Sequence, residues 1–203
     1  SLDNAVKLDV TEIVIVVGYL AQQIINEFGN CYRGKKIRYA IQKQQKGLVD
    51  AISCAQNFIG GSDYILLLGD EFLSETEHEK MIEKFYKNNS FAICGMIEVE
   101  DRSQISKTYS ILYNNENAQI LRLIEKPDFP QNNLMGTGNI VFKNQIFNYV
   151  DRAPVNQNRG QKELADLIQC SIDDGKEVLY HKLSSKYVNV NTADDITIIK
   201  SII

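Results

Sequence analysis

The strongest constraint on this chain is a series of strand-length apolar runs separated by helical patterns. Ile13 to Val17, Tyr64 to Leu68 and Phe91 to Ile97 are apolar at nearly every position, and Ile37 to Ile41 is a shorter run of the same kind. A strand that is apolar on both faces has to be covered on both faces, the usual situation in a parallel sheet flanked by helices. The intervening segments have helical spacing. Leu20, Ile24, Ile25 and Phe28 share one face before Gly29, and Leu48, Ala51, Ile52, Ala55 and Phe58 share one before Gly60-Gly61. Glu75 to Tyr86 reads as a charged helix. The alternation predicts an α/β, Rossmann-like, mostly parallel sheet with helices on both faces.

Beyond residue 98 the texture changes. Ser106 to Tyr113 and Gln119 to Glu125 flank Asn114-Asn115-Glu116-Asn117, which predicts a small antiparallel β insertion. Further strands are expected at 134–142, 178–183 and 187–190, and helices at 146–150, 161–173 and 193–202. Prolines stand only at 127, 130 and 154, and no repeat or Pro/Gly-rich linker breaks the chain. A single domain over 1–203 is therefore expected, with the texture changing between 1–97 and 98–203. Leu2, Ala5, Val6 and Leu8 begin in helical register with no strand before them, which reads as an N-terminal truncation.

Charge and sulfur chemistry narrow the function classes. A net charge of -4 argues against a nucleic-acid partner, because affinity for polyanions comes from clustered Lys and Arg. Cys31, Cys54, Cys94 and Cys170 lie far apart without metal-ligand spacing, as small apolar residues in a reducing cytoplasm would. His78 and His181 are isolated, supporting neither a metal site nor a triad. No apolar run approaches the roughly 20 residues of a membrane span, and no signal peptide is visible, so a cytoplasmic location without membrane association is expected.

Ligands of open α/β sheets bind beyond the carboxyl ends of the strands. Gln42 and Gly47 bracket the loop after the second strand, where an amide could read a base edge and a glycine could admit a flat ring. Asp70 follows the third strand and is a natural Mg²⁺ ligand, although an Asp there also serves as a helix or turn cap. Glu125-Lys126-Pro127 closes the hairpin, offering an acid for hydroxyls and a point charge for a phosphate, with Lys126 held extended by the proline. Gly136 and Gly138 leave the backbone bare in the next strand, where glycines also mark bulges.

In order and spacing these segments resemble the nucleoside-diphosphate-sugar pyrophosphorylases, the sugar-1-phosphate nucleotidyltransferases. The resemblance rests on IVIVVGY at 13–19, IQKQQKGLVDAI at 41–52, LLLGD at 66–70, IEKP at 124–127, TGNIVF at 137–142, RGQKELAD at 159–166 and YVNVNTADDI at 187–196. It implies the nucleotide-diphospho-sugar transferase fold and a reaction joining an NTP to a sugar-1-phosphate, with release of pyrophosphate. By resemblance, 1–97 is the nucleotide-binding half and 98–203 the sugar-binding half, with Gln42 and Gly47 binding the nucleotide and Glu125 and Gly138 the sugar. Lys126, Asp70 and Arg159 are the catalytic residues, and Asp70 and Asn189 hold the Mg²⁺ cofactor. Glu163 and Asp166 belong to the matching helix.

Three departures accompany the resemblance. Asn189 stands where the family has Asp. Glu71 follows Asp70 where the family often has Asn, and Ser110 stands where a Tyr-Gly pair is common and is expected to narrow the sugar pocket. The family's opening strand and glycine-rich loop have no counterpart here. The sheet is therefore expected to lack its first strand, to fill the gap by shifting elements or forming a homo-oligomer, and the chain to show little pyrophosphorylase activity. A non-catalytic binding or regulatory homologue, and a cytidylyltransferase for a non-sugar phosphate, are the alternative readings.

Overall fold

The structure, a computed structural model, describes residues 1–202. Two ladders form its β framework. In the first, β1 (Glu12–Val17) runs parallel to β3 (Lys35–Ile41), with Ile13 opposite Ile37, and β2 (Cys31–Tyr32) adds antiparallel on the far side. The second has the order β12 (Val178–Ser184), β6 (Ala92–Glu98), β9 (Leu134–Phe142), β4 (Tyr64–Leu66). There β12 and β6 are parallel, while β9 runs antiparallel to both of its neighbours. The α/β layering is as the alternation requires, and the sheet is more mixed than alternation alone implies. An antiparallel β9 follows from its position directly after the hairpin, with no crossover helix to reverse its direction.

The continuous apolar runs are explained by burial on both faces of the second ladder. Along β6, Ala92, Cys94 and Met96 enter one core and Ile93 and Ile97 enter the other. On β9, Ile140 and Phe142 face the first core while Met135 and Val141 face the second. The first is closed by α3 (Leu48–Ile59) through Val49 and Ile52, and by α5 (Leu164–Asp173) through Leu167 and Ile168. The second is closed by Met81 and Phe85 of α4 (His78–Asn88). A third, smaller cluster joins Ala5 of α1 (Leu2–Lys7) and Phe28 of α2 (Ala21–Phe28) to Ile13, Ile37 and Leu67. Leu67 follows β4, so this cluster links the two ladders, and Ser1 Oγ donates to the carbonyl of Leu68 at 2.5 Å.

Several elements differ from the sequence expectation for identifiable reasons. Residues 71–74 form β5 (Glu71–Ser74), paired antiparallel with β13 (Lys186–Asn189), and α4 begins only at His78. The expected helix from Gln161 begins at Leu164, because β11 (Gln161–Lys162) pairs with β10 (Val155–Asn156). Ahead of β7 (Tyr109–Tyr113) the backbone winds into a 3-10 turn, Arg102–Lys107, started by Asp101, whose carboxylate accepts from Ser103 N. The hairpin partner β8 (Ile120–Glu125) is as expected, and α6 (Ala193–Ile202) closes the chain.

Gly136 shows how tightly this framework is packed. A Cβ placed there would fall 2.2 Å from Cζ of Tyr109, a buried ring whose hydroxyl donates to the carbonyl of Thr137 at 3.1 Å. Gly136→Ala should destabilise the protein by about 1–3 kcal/mol in urea unfolding. Gly61→Ala, where nothing lies within 4 Å, should change stability by less than about 0.5 kcal/mol.

Candidate functional site

One hollow is walled by residues from both halves of the chain. Asp70 and Glu71 enter from the end of the segment after β4, and Asn189 from β13. The hairpin gives Lys107, Thr108, Tyr109, Glu125 and Lys126, while β9 gives Gly136 and Gly138. Glu163 and Leu164 stand at the start of α5. Of the residues singled out in the sequence, Asp70, Glu125, Lys126, Gly138 and Asn189 thus meet in one place. Gln42 lies in the wall of a separate hollow with Gly18, Tyr19 and Gln45, at the carboxyl ends of β1 and β3. Gly47 adopts a φ of 92°, and a Cβ there would come within 2.9 Å of the Gln161 side chain, so a packing requirement also holds this glycine. Arg159, in the turn between β10 and β11, is outside the hollow's wall and reaches Glu163 at 3.3 Å. Ser110 is buried outside it too, because successive strand residues face opposite ways and Tyr109 takes the inward position. The expected narrowing of the sugar pocket by Ser110 is therefore corrected.

The hollow is organised around the Glu71 carboxylate. Both of its oxygens accept from Gly138 N at 3.0 Å, Oε2 also accepts from Asn139 Nδ2 at 2.6 Å, and Oε1 accepts from the Tyr187 hydroxyl at 3.2 Å. These bonds fasten β5 to β9 and β13. The backbone adds two further ties: Glu71 sits opposite Asn189 in the ladder, and Val190 N donates to the carbonyl of Asp70 at 2.7 Å. Asn139 is itself fixed, since its Oδ1 lies 2.9 Å from Nε2 of His78, whose Nδ1 lies 2.9 Å from Thr76 Oγ1. Every partner of Glu71 is neutral. Burial pushes its carboxyl up to about 7, with the Asp70 charge acting in the same direction and the three donors opposing it.

Lys126 differs from the expectation in its backbone. Instead of being extended by Pro127, it adopts a φ of 44°, in the left-handed region that non-glycine residues rarely enter. Its N–H donates to the carbonyl of Thr108 at 2.6 Å, and Ser106 Oγ donates to the carbonyl of Pro127 at 2.7 Å. The hairpin base thus imposes the turn that the proline alone does not, and such imposed conformations gather at ligand sites. Lys126 Nζ lies 4.0 Å from Glu125 Oε1. The Glu125 carboxyl is pushed up to about 7 by burial and by the nearby charge of Glu163, against the opposing pull of Lys126 and Arg159.

Chemically, the hollow offers a cation beside partly buried acids at one side and an exposed carboxylate with an amide oxygen nearby at the other. Among the described residues no three His, Cys, Asp or Glu side chains converge as a complete metal cage. Mg²⁺ needs none, because it is commonly held by one or two carboxylates, with water and substrate phosphates at its other positions. Asp70, exposed at the mouth, suits that role. Wall residues missed by sequence reasoning include Lys107, Thr108, Tyr109, Leu164 and Tyr187. Of these, only Tyr109 had a local signal, a large ring on a strand expected to lie near a strand rich in glycine.

Comparisons with known proteins bear on the family and the fold. Residues 1–199 match the family described as nucleotidyl transferase. A low-salt glycan biosynthesis nucleotidyltransferase of Haloferax volcanii is 28% identical over 97% of this chain, which spans 54% of that relative's length. A UTP–glucose-1-phosphate uridylyltransferase of the same organism is 31% identical over 87% of this chain and 70% of its own. Among solved structures, a UDP-glucose pyrophosphorylase complexed with UDP-glucose superposes with a TM-score of 0.80 at 20% identity, covering 94% of this chain and 81% of that one, a likeness of fold.

The Glu71 clamp predicts a pH dependence with a definite sign. Its carboxyl is raised from 4.5 to about 7 in the folded state, so the fold binds that proton more tightly than the unfolded chain does. The associated stability is fully present below 4.5 and is lost as the pH rises through about 7. The whole effect is of order 3 kcal/mol. Urea midpoints measured across that window should fall with rising pH in the wild type and fall distinctly less in Glu71→Gln. Parallel profiles for the two proteins would refute the assignment.

Proposed function

The chain belongs to the nucleotidyl transferase family, and from that premise we propose that it carries the nucleotide- and sugar-phosphate-binding part of a sugar-1-phosphate nucleotidyltransferase. The observation that carries this reading is the meeting of Asp70, Glu125, Lys126, Gly138 and Asn189 in one hollow, from segments far apart in sequence. In the proposed reaction, a phosphate oxygen of the sugar-1-phosphate attacks the α-phosphorus of an NTP. The NDP-sugar forms as the bond to pyrophosphate breaks.

Each residue has a task suited to its setting. Glu125 and Glu163 accept from sugar hydroxyls, which a partly buried carboxylate does more strongly than an exposed one. Gly138 keeps the strand bare: a Cβ there would fall 2.1 Å from Leu68 Cγ, so the wall has no room for a side chain. Lys126, its backbone held by Thr108, places a positive charge for the sugar phosphate. Arg159 stands outside the wall, where it orients Glu163 by their 3.3 Å contact. Asp70 with Asn189 would hold Mg²⁺, which when bound neutralises charge on the reacting phosphates. At the second hollow, Gln42 reads the base.

A reducing, cytoplasmic setting belongs to the same proposal. It is supported by the four cysteines, all unpaired, and by an acidic chain in which no helix of the described residues is long and apolar enough to cross a membrane.

Thermal unfolding in Mg²⁺ with UDP-glucose, glucose-1-phosphate and UTP tests the assignment. A ligand at 100 times its Kd should add about 2.7 kcal/mol, a shift of several degrees. The shift should vanish in Asp70→Ala and in Lys126→Ala. Absence of any shift, or a shift that survives both substitutions, would overturn it.

A further inference from the structure

We propose that Tyr19 is the stacking platform of the nucleotide site, with its ring lying against one face of the base. The inference rests on the reading of the second hollow as the base site and adds to it the group that holds the base by its face.

β1 and β3 end together, with Val17 opposite Ile41 and Gln42 N donating to the carbonyl of Val17 at 2.8 Å. Ile13 and Val17 are buried on one face of β1, and a strand that ran on would put Tyr19 on that face too. It does not run on. Ala21 N donates to the carbonyl of Gly18 at 3.1 Å, which closes a tight turn with Tyr19 and Leu20 at its corner. Leu20 adopts a φ of 60°, at a turn position that favours Gly or Asn. It is also the N-cap of α2, where it makes no side-chain bond to the helix. Two local choices thus run against stability, and their result is that Tyr19 stands 78% exposed instead of inside the core. Strained backbone of this kind gathers at ligand sites.

A single exposed tyrosine is ordinary on a protein surface. This one lines a hollow. It shares the wall with Gly18, Ile41, Gln42, Lys43 and Gln45, around a volume of about 490 Å³, the size of a small-ligand pocket. Among the described residues its ring packs on no other aromatic ring and its hydroxyl has no partner. Ile41, 50% exposed, adds a second apolar surface. The polar part of the wall is amide and cation, Gln42 and Gln45 with Lys43, and it contains no carboxylate. Lys43 has no ion-pair partner among the described residues. An aromatic ring with polar edges, attached to a polyanion, fits each of these surfaces, and that is the chemistry of a nucleotide. Every base has a π-face, so Tyr19 supplies affinity without choosing among bases.

Calorimetric titration in Mg²⁺ with UTP and with glucose-1-phosphate tests this. Tyr19→Ala should weaken UTP binding by at least about fivefold, the lower end of what a lost base–aromatic stack costs, and leave glucose-1-phosphate binding unchanged. Tyr19→Phe keeps the ring and should bind UTP within about twofold of the wild type. The sequence has no tryptophan, so Tyr19→Trp places the chain's one indole in the hollow. UTP should quench its emission, and ribose-5-phosphate, which has no base, should not. Unchanged UTP affinity in Tyr19→Ala would overturn the inference. So would equal weakening of UTP and glucose-1-phosphate, the mark of a structural role, or a Tyr19→Phe that loses UTP as Tyr19→Ala does. An indole that responds alike to UTP and ribose-5-phosphate, or to neither, would also overturn it. Should Tyr19→Ala fail to fold, Tyr19→Trp carries the test by itself. Failure of the underlying functional reading looks different: the wild type would then bind neither UTP nor glucose-1-phosphate, and the inference would fall with it.

Discussion

A buried carboxylate with only neutral partners holds this molecule's central hollow together. Glu71 accepts from Gly138 and Asn139 of β9 and from Tyr187 of β13, and so joins the β5–β13 ladder to a ladder with which it shares no strand. Burying a charge without a countercharge is costly unless every lone pair finds a donor. That requirement explains why the partners are fixed in turn. Asn139 must present its nitrogen to Glu71, and the His78 ring, buried behind it, accounts for the other end of the amide. Burial also holds the His78 imidazole below its usual range, which favours the neutral ring, and its Nε2 then carries the hydrogen that meets Asn139 Oδ1. The cost of such a centre is recovered as definition: Asp70, Gly138 and Asn189 have little freedom to move apart.

The hollow's two sides then differ in the charges they carry. At the hairpin base, Lys126 sits in a left-handed backbone conformation enforced by Thr108 and Ser106. At the other side, Asp70 stands exposed beside a neutral asparagine. A phosphate bridging the two would meet a cation directly on one side and a carboxylate on the other, which repels it unless a metal ion intervenes. This polarity, with Glu125 and Glu163 lining the wall between, is what suits the place to a phosphorylated sugar better than to an apolar ligand.

The framework was legible in the sequence where physics writes it plainly. Strands such as Phe91 to Ile97 and Leu134 to Phe142 are apolar on both sides because each feeds two cores, and the residues at strand ends marked Asp70, Glu125 and Lys126 before any geometry was known. Elements defined by pairing alone were illegible. β5 is four residues long and begins with a glutamate, so its inward charge disguises it as a loop. β10 and β11 are two residues each, and they shorten α5 at its start. The Lys126 turn was misread because Pro127 favours an extended neighbour, while the hydrogen bond that overrides it comes from a residue 18 positions earlier. Asp50 reads as the polar face of a helix, and its contact with the Gln42 side chain is visible only in the structure.

The measurement closest to the heart of this description is the thermodynamic coupling between cation and sugar phosphate. If Asp70 and Lys126 serve one ligand in one hollow, Mn²⁺, as a magnetic stand-in for Mg²⁺, and glucose-1-phosphate must each tighten the other's binding by the same factor. Calorimetric titration of each in the presence and absence of the other should give equal gains of at least about fivefold, a coupling of roughly 1 kcal/mol. Two ligands that bind independently, or that compete, would mean that the acidic and basic sides of the hollow do not form one site.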